Sequence, residues 1–240
     1  MKIRKKFSSA YKPGVTIITV TNKAKFKKNI KENFVRCKYP EVEFIIILNS
    51  NKLNIKEYKS YFSILPNIKI YKLNEDISLG ESMNFGIENS NYDYISKMDD
   101  DDYYGENYIG DLMNIFNYTS ADIVGKASHF IYFEENESLN LWCGGNDSCY
   151  SKAVAGATLV MKKYIFDKVK FNRLNSGEDL DLIAQCNSLD FKIYSGDIFN
   201  YVYNRHKRIK YHSWKVSNLN LMLRSQKICR TNNYKQIVSM

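Results

Sequence analysis

The sequence predicts an α/β fold: a doubly wound, mostly parallel mixed sheet flanked by helices. Three observations point to it. Through the first hundred residues, apolar runs alternate with amphipathic stretches in the order β-α-β-α-β-α-β, the pattern of right-handed crossovers between parallel strands. The apolar runs are continuous, as expected for strands buried on both faces. The runs ending near residues 21, 49 and 99 stop at polar or acidic residues. Such a fold gathers them on one edge of the sheet, beyond the carboxyl ends of the strands, where ligands bind.

Taken in order, residues 1–12 read as a basic, poorly ordered lead-in that opens with Lys2-Ile3-Arg4-Lys5-Lys6 and is punctuated by Pro13-Gly14. Val15-Thr16-Ile17-Ile18-Thr19-Val20 is a β-branched first strand, ending at Thr21-Asn22. Residues 25–36 form a helix with Phe26, Ile30 and Phe34 on its apolar stripe. Glu43-Phe44-Ile45-Ile46-Ile47-Leu48 is the second strand and stops at Asn49-Ser50-Asn51. A polar helix over 55–62 leads past Pro66-Asn67 to a third strand, 68–73. A helix over 79–88 repeats Leu79, Met83 and Ile87 at helical spacing, and residues 92–98 are the fourth strand.

The second half is less regular. It predicts a helix over 107–118, strands over 122–125 and 128–133, a polar loop over 134–140, a turn at Gly144-Gly145-Asn146-Asp147-Ser148 and an extended segment over 153–161. Gly177-Glu178-Asp179-Leu180-Asp181-Leu182 opens a helix to about residue 188, with carboxylates suited to its N-terminal dipole. Strands follow over 191–194 and 198–203. A terminal helix is expected over 214–229, with Leu219, Leu223 and Ile228 on its apolar face.

With 240 residues, 44% of them hydrophobic, the chain fits one domain with a packed core and is not disordered. The net charge of +9 favours partners that carry negative charge: nucleic acid, an anionic membrane face or phosphate-bearing substrates. A second basic run is Arg205-His206-Lys207-Arg208-Ile209-Lys210. The 5 cysteines are scattered without zinc-site spacing and read as free thiols of a reducing compartment. No apolar leader and no spanning run are present, so the expectation is a cytoplasmic protein, with peripheral contact at the inner membrane face left open.

The chain is organised around Ile95-Ser96-Lys97-Met98-Asp99-Asp100-Asp101-Asp102-Tyr103-Tyr104. Adjacent carboxylates repel one another and resist burial without a counter-charge. A strand ending in hard oxygen ligands suits Mg²⁺, Mn²⁺ or Ca²⁺ rather than Zn²⁺. A solvated acidic turn is the plain alternative. A calcium-binding module is another, since Asp100, Asp102, Tyr104, Gly105 and Asp111 partly imitate an EF-hand loop. Nothing resembles a nucleic-acid recognition helix or RNP motif, so no nucleic-acid partner is expected.

The stretches 15–22, Leu79-Gly80-Glu81-Ser82-Met83-Asn84-Phe85-Gly86-Ile87, Met98-Asp99-Asp100-Asp101-Asp102 and Gly177-Glu178-Asp179 together resemble glycosyltransferase family 2, in order and approximate spacing over residues 14–215. The resemblance implies a GT-A fold, with a nucleotide-sugar half over 13–104, an acceptor half over 105–215, and a C-terminal helix and tail over 216–240. It implies an inverting, metal-dependent transfer from a nucleoside-diphosphate sugar, UDP-sugar first, to an unknown glycan, lipid-linked or protein hydroxyl. Asp99 and Asp100 would meet the nucleotide-sugar, with Thr19, Thr21, Asn49, Asn84 and Lys97. Asp101, with His212, would hold Mn²⁺ or Mg²⁺ against the diphosphate. Asp179 would be the general base and Glu178 its support. Arg205, His206 and Lys210 would contact the diphosphate, within a basic lid that includes Lys207 and Arg208. One departure is Asn49, where many relatives carry an Asp that contacts uracil; an amide offers a different donor and acceptor pattern. A nucleotidyltransferase or an inactive sugar-nucleotide-binding protein are the alternatives nearest in fold.

Overall fold

A computed structural model describes residues 2–9, 11–145, 147–207 and 214–240. The chain begins with α1 (Lys2–Lys6), then β1 (Val15–Thr21), a 3₁₀ turn (Ala24–Phe26), α2 (Lys27–Arg36), β2 (Val42–Leu48), α3 (Ile55–Phe62), β3 (Ile68–Lys72), α4 (Leu79–Glu88) and β4 (Tyr94–Lys97). β5 (Tyr103–Tyr104), α5 (Tyr108–Ile115), β6 (Ile123–Gly125), β7 (His129–Phe133), β8 (Ser138–Trp142), β9 (Cys149–Ser151) and β10 (Val160–Lys162) follow. The rest is α6 (Glu178–Ser188), β11 (Ile193–Ser195), β12 (Tyr201–Arg205), α7 (Asn218–Leu223), β13 (Gln226–Arg230) and α8 (Lys235–Val238).

The main sheet has the order β3-β2-β1-β4-β10-β6-β11-β9. Its first four strands are parallel, and β10 joins antiparallel between β4 and β6. Strand order reverses direction of growth at β1 and β4, which makes their carboxyl ends the switch point of the sheet. Alternate residues of the buried strands divide between two apolar clusters. Val15, Ile17, Phe44 and Ile46 pack with α2, α3 and α5 through Phe34, Phe62 and Leu112. Ile18, Ile45 and Ile47 pack with α4 and α6 through Met83, Ile87 and Leu182. Burial on both faces, about 1.5–3 kcal/mol for each large side chain, is why these strands read as unbroken apolar runs.

A second sheet, β13-β8-β7-β12-β5, leans on the first at the acidic turn. It carries the main departures from expectation. The segment read as a polar loop over 134–140 becomes strand from Ser138, because β8 pairs with both β7 and β13. The terminal helix expected over 214–229 is cut to α7 by a Ser217 cap at its start. Ile228 falls instead in β13, an edge strand. Leu221 is the buried anchor of α7, whereas Leu219 and Leu223 are exposed. The basic lead-in is also structured: α1 is tied down by a 2.5 Å ion pair from Arg4 to Asp111. That pair, with Asn200 donating to the same carboxylate, removes Asp111 from any calcium loop.

Candidate active site

The acidic turn follows β4 directly. Its backbone is clamped by α2: the Asn29 side-chain amide donates to the carbonyls of Asp100 and Asp102, both at 2.9 Å, and Asn33 donates to Asp102 at 2.8 Å. Arg36, one turn on, donates to the Tyr104 carbonyl. Asn29, Asn33 and Arg36 recur at helical spacing, so one face of α2 holds the turn in register. Tyr104 adds a cross-tie, accepting from the Asp99 backbone N–H and donating to the Ala157 carbonyl, each at 2.8 Å.

The four carboxylates of the turn then divide by environment. Asp102 is 1% exposed and accepts from the Tyr201 hydroxyl and the Asn204 backbone N–H. Burial, followed by the charges of Asp101 and Asp99, holds its carboxyl well above the usual range. Asp100 accepts from Thr21 Oγ1 at 2.5 Å, and burial lifts it to about 6. Asp101 is lifted to about 7 by burial, then by Asp100 and Asp99, against the opposing pull of His206. The His206 Nε2 lies 3.8 Å from Asp101, its Nδ1 lies 2.7 Å from Glu134, and its ring stacks on Phe26.

Asp99, Asp100 and Asp101 line a cavity of about 910 Å³ together with Asn49, Lys97, Glu178, Asp179 and the 153–157 stretch. α6 opens at Gly177, with φ of 77°, a left-handed conformation that glycine adopts at no steric cost. This turn delivers Glu178 and Asp179 to the cavity. Lys97 joins the two sides, with Nζ 2.6 Å from Asp99 Oδ1 and 3.8 Å from Glu178 Oε1. Burial pushes its ammonium down, but Asp99, Glu178 and Asp179 outweigh this and raise it. Burial pushes the Glu178 carboxyl up, with Lys97 opposing. Asp179 Oδ2 occupies the space over Gly156, where a Cβ would fall 1.5 Å away.

Other predicted residues are placed differently. Thr19 is buried in β1 and Thr21 reaches Asp100 rather than the cavity. The Asn49 amide lines the cavity but is spent on the carbonyls of Asn74 and Ile77. Asn84 exchanges hydrogen bonds with the Phe171 backbone and locks α4 to that loop. Arg205 is fully buried and is no diphosphate contact in this arrangement. Its guanidinium donates to Asn218 Oδ1, the Tyr203 hydroxyl and the carbonyls of Trp214 and Val216. His206 abuts Asp101 without lining the cavity, and Lys207 is exposed with its backbone N–H directed at Glu134. Arg208, Lys210 and His212 lie outside the described residues. Sequence reasoning passed over the Asn29-Asn33-Arg36 clamp, Gly156, and the wall residues Trp142, Tyr201 and Tyr203. Only the helical spacing of the clamp was there to be found.

Among the described residues no group of three or more His, Cys, Asp or Glu side chains forms a ready cation cage. The donor set still fits a hard divalent ion. Asp99, Asp100 and Asp101 line one cavity as hard oxygen donors, and Mg²⁺ is commonly held by one or two carboxylates plus substrate phosphates.

A parallel-centred sheet whose switch point carries an acidic turn, facing helix-borne carboxylates across one cavity, is the GT-A architecture of glycosyltransferases. The chain belongs to glycosyl transferase family 2, whose profile matches residues 15–169. It is 24% identical over 180 residues to an uncharacterized glycosyltransferase of Rickettsia typhi, covering 67% of this chain and 54% of that one. Among solved structures, S. aureus TarS 1–349 superposes with a TM-score of 0.64 at 13% identity, covering 80% of this chain and 60% of that one. TarS 1–349 in complex with UDP-GlcNAc gives 0.64 at 14% identity, with 85% and 62% coverage. The chain thus spans about half the length of the curated relative it matches.

Proposed function

We propose that the protein transfers a sugar from a nucleoside-diphosphate sugar, a UDP-sugar first, to an acceptor hydroxyl with inversion at the anomeric carbon. The observation that carries this reading is that the acidic turn and the Glu178-Asp179 pair share one cavity. Asp99 and Asp100 take the nucleotide-sugar side. Asp179 accepts the proton of the attacking hydroxyl, and its backbone anchor, the Leu180 N–H at 2.8 Å from Oδ1, orients the carboxylate. Glu178 and Lys97 hold the two sides at fixed separation. A divalent cation at Asp101 would supply Lewis-acid stabilisation of the leaving diphosphate, as GT-A enzymes generally use such metals.

UDP rather than another nucleotide is favoured by the family and by the fold shared with TarS, a structure of which holds UDP-GlcNAc. The division at about residue 104 is supported by the cavity lining. Val20, Asn22, Asn49 and the acidic turn come from the first part, and Ala127, Trp142, Asp179 and Tyr203 from the second. No helix among the described residues is long and apolar enough to cross a membrane. Calorimetric titration of UDP, GDP, CDP and dTDP with and without Mn²⁺ tests the donor reading. UDP is expected to bind in a manner that needs both Mn²⁺ and Asp101. Failure of every nucleotide to bind, with or without metal, would sink it.

A further inference from the structure

One part of the cavity wall differs in chemistry from the acidic turn. It is formed by His129, Ile131, Trp142, Tyr201, Tyr203 and Trp214, from β7, β8, β12 and the chain ahead of α7. Its side chains carry no charge at neutral pH, since burial and then Lys126 push the His129 imidazole down to about 4. Lys126 itself is buried and donates to Asp197. The sequence has 2 tryptophans, and both are in this wall. The Trp142 and Trp214 rings meet edge to face at 6.2 Å, and Tyr203 lies 6.4 Å from Trp214. Trp214 is 43% exposed and lines the cavity.

The wall is also held rigid. Arg205, 0% exposed, donates to the Tyr203 hydroxyl at 2.9 Å and to the Trp214 carbonyl at 3.1 Å. A buried guanidinium is costly unless all its donors are met. Here it is met by the groups that set the position of two of the three aromatic rings. Such preorganisation lowers the ordering cost of a ligand that stacks on them.

We propose that this wall is the acceptor subsite and that it takes a neutral pyranose ring, stacked on Trp142, Trp214 and Tyr203, with Arg205 as the positioning residue of the wall. The inference rests on the transferase reading and adds to it the chemical class of the acceptor. A pyranose has an apolar C–H face that suits an aromatic ring and a hydroxyl rim that can present its nucleophile toward Asp179. An acyclic polyol phosphate offers no such face, although the Arg224 guanidinium lies 5.3 Å from the Trp142 ring centroid.

Because the chain's 2 tryptophans are both in the wall, intrinsic fluorescence reports on it directly. The protein with UDP and Mn²⁺ is titrated with methyl β-glucopyranoside, methyl N-acetyl-β-glucosaminide and glycerol 3-phosphate. A saturable change is expected with at least one pyranoside and none with glycerol phosphate. Trp214→Ala, at a partly exposed position, is expected to weaken that pyranoside about 3- to 10-fold. Arg205→Lys is expected to raise the acceptor KM with little change in kcat. A purely structural role would weaken UDP as well. Silence toward both pyranosides, or a response to glycerol phosphate alone, overturns the proposal. Calorimetric UDP binding by the unaltered protein separates the two readings. If UDP binds while the pyranosides do nothing, the subsite fails and the donor site stands.

Discussion

At the scale of single residues, the acidic turn is a store of unfavourable charge. Asp100 and Asp101 have carboxyls lifted to about 6 and about 7, above the ordinary value near 4. The folded chain therefore holds protons that the unfolded chain releases, and the cluster's cost to stability grows as pH rises from about 4 through 7. Carboxylates held low elsewhere, such as Glu43 beside Lys69, act in the opposite sense, losing their contribution as pH falls. The informative quantity is thus the difference between wild type and Asp101→Asn without metal. The variant's advantage in melting temperature should widen by a few degrees from pH 5 to pH 8. A variant less stable at pH 8 would contradict this account of the cluster. Asp179→Asn tests chemistry instead. Turnover should fall by about 10²–10⁴ with nucleotide binding retained, and near-normal turnover would remove Asp179 as the base. The four Asp and the Glu178-Asp179 pair stood out in the sequence through the order of the motifs around them, since an acidic turn or an acidic helix start alone has plain structural uses. Arg205 was misread because a basic run on paper does not reveal which member the fold buries.

At the scale of elements, α2 and α6 position the site from opposite sides of the sheet. The α6 side depends on a close approach. A Cβ at Gly156 would fall 1.5 Å from Asp179 Oδ2, 2.3 Å from its Cγ and 2.5 Å from its Cβ, in an ordinary backbone conformation. Gly156→Ala should therefore displace Asp179 and lower turnover on the order of 10- to 100-fold with nucleotide binding retained, because a shift of about 1 Å in a catalytic group is that costly. Unfolding instead of selective loss of turnover would show that the glycine serves packing. The helices with clean apolar spacing, α2 and α4, were readable. β8 and β13 were not, because β8 buries the polar Ser138 and Asn140, β13 is mostly exposed, and each is held by strand pairing. Strand propensity is weak where pairing, rather than sequence, supplies the hydrogen bonds.

At the scale of the whole molecule, the two sheets meet where Asp102 at the end of one accepts from Tyr201 and Asn204 of the other. A donor bound at this junction touches residues from both halves of the chain. Its binding energy should therefore stabilise the whole fold and not only a loop. UDP with Mn²⁺ at about 100 times its Kd should raise the melting temperature by about 5–10 °C in one cooperative transition. A biphasic melt, with only one phase moved, would mean that the halves unfold separately.

The sequence by itself determined the parallel strands, the crossover helices between them, the edge of the sheet where polar strand ends gather, and the family to which the chain belongs. These follow from local patterns: unbroken apolar runs, helical spacing and short motifs in order. Tertiary structure alone decided which of the basic residues were buried, that Asn29 and Asn33 clamp the acidic turn, and that both tryptophans share a wall with Tyr203. The physical reason is distance along the chain. Trp142 and Trp214 are brought together by the pairing of strands far apart in sequence and by one buried guanidinium, and neither leaves a periodic trace in the residues around them.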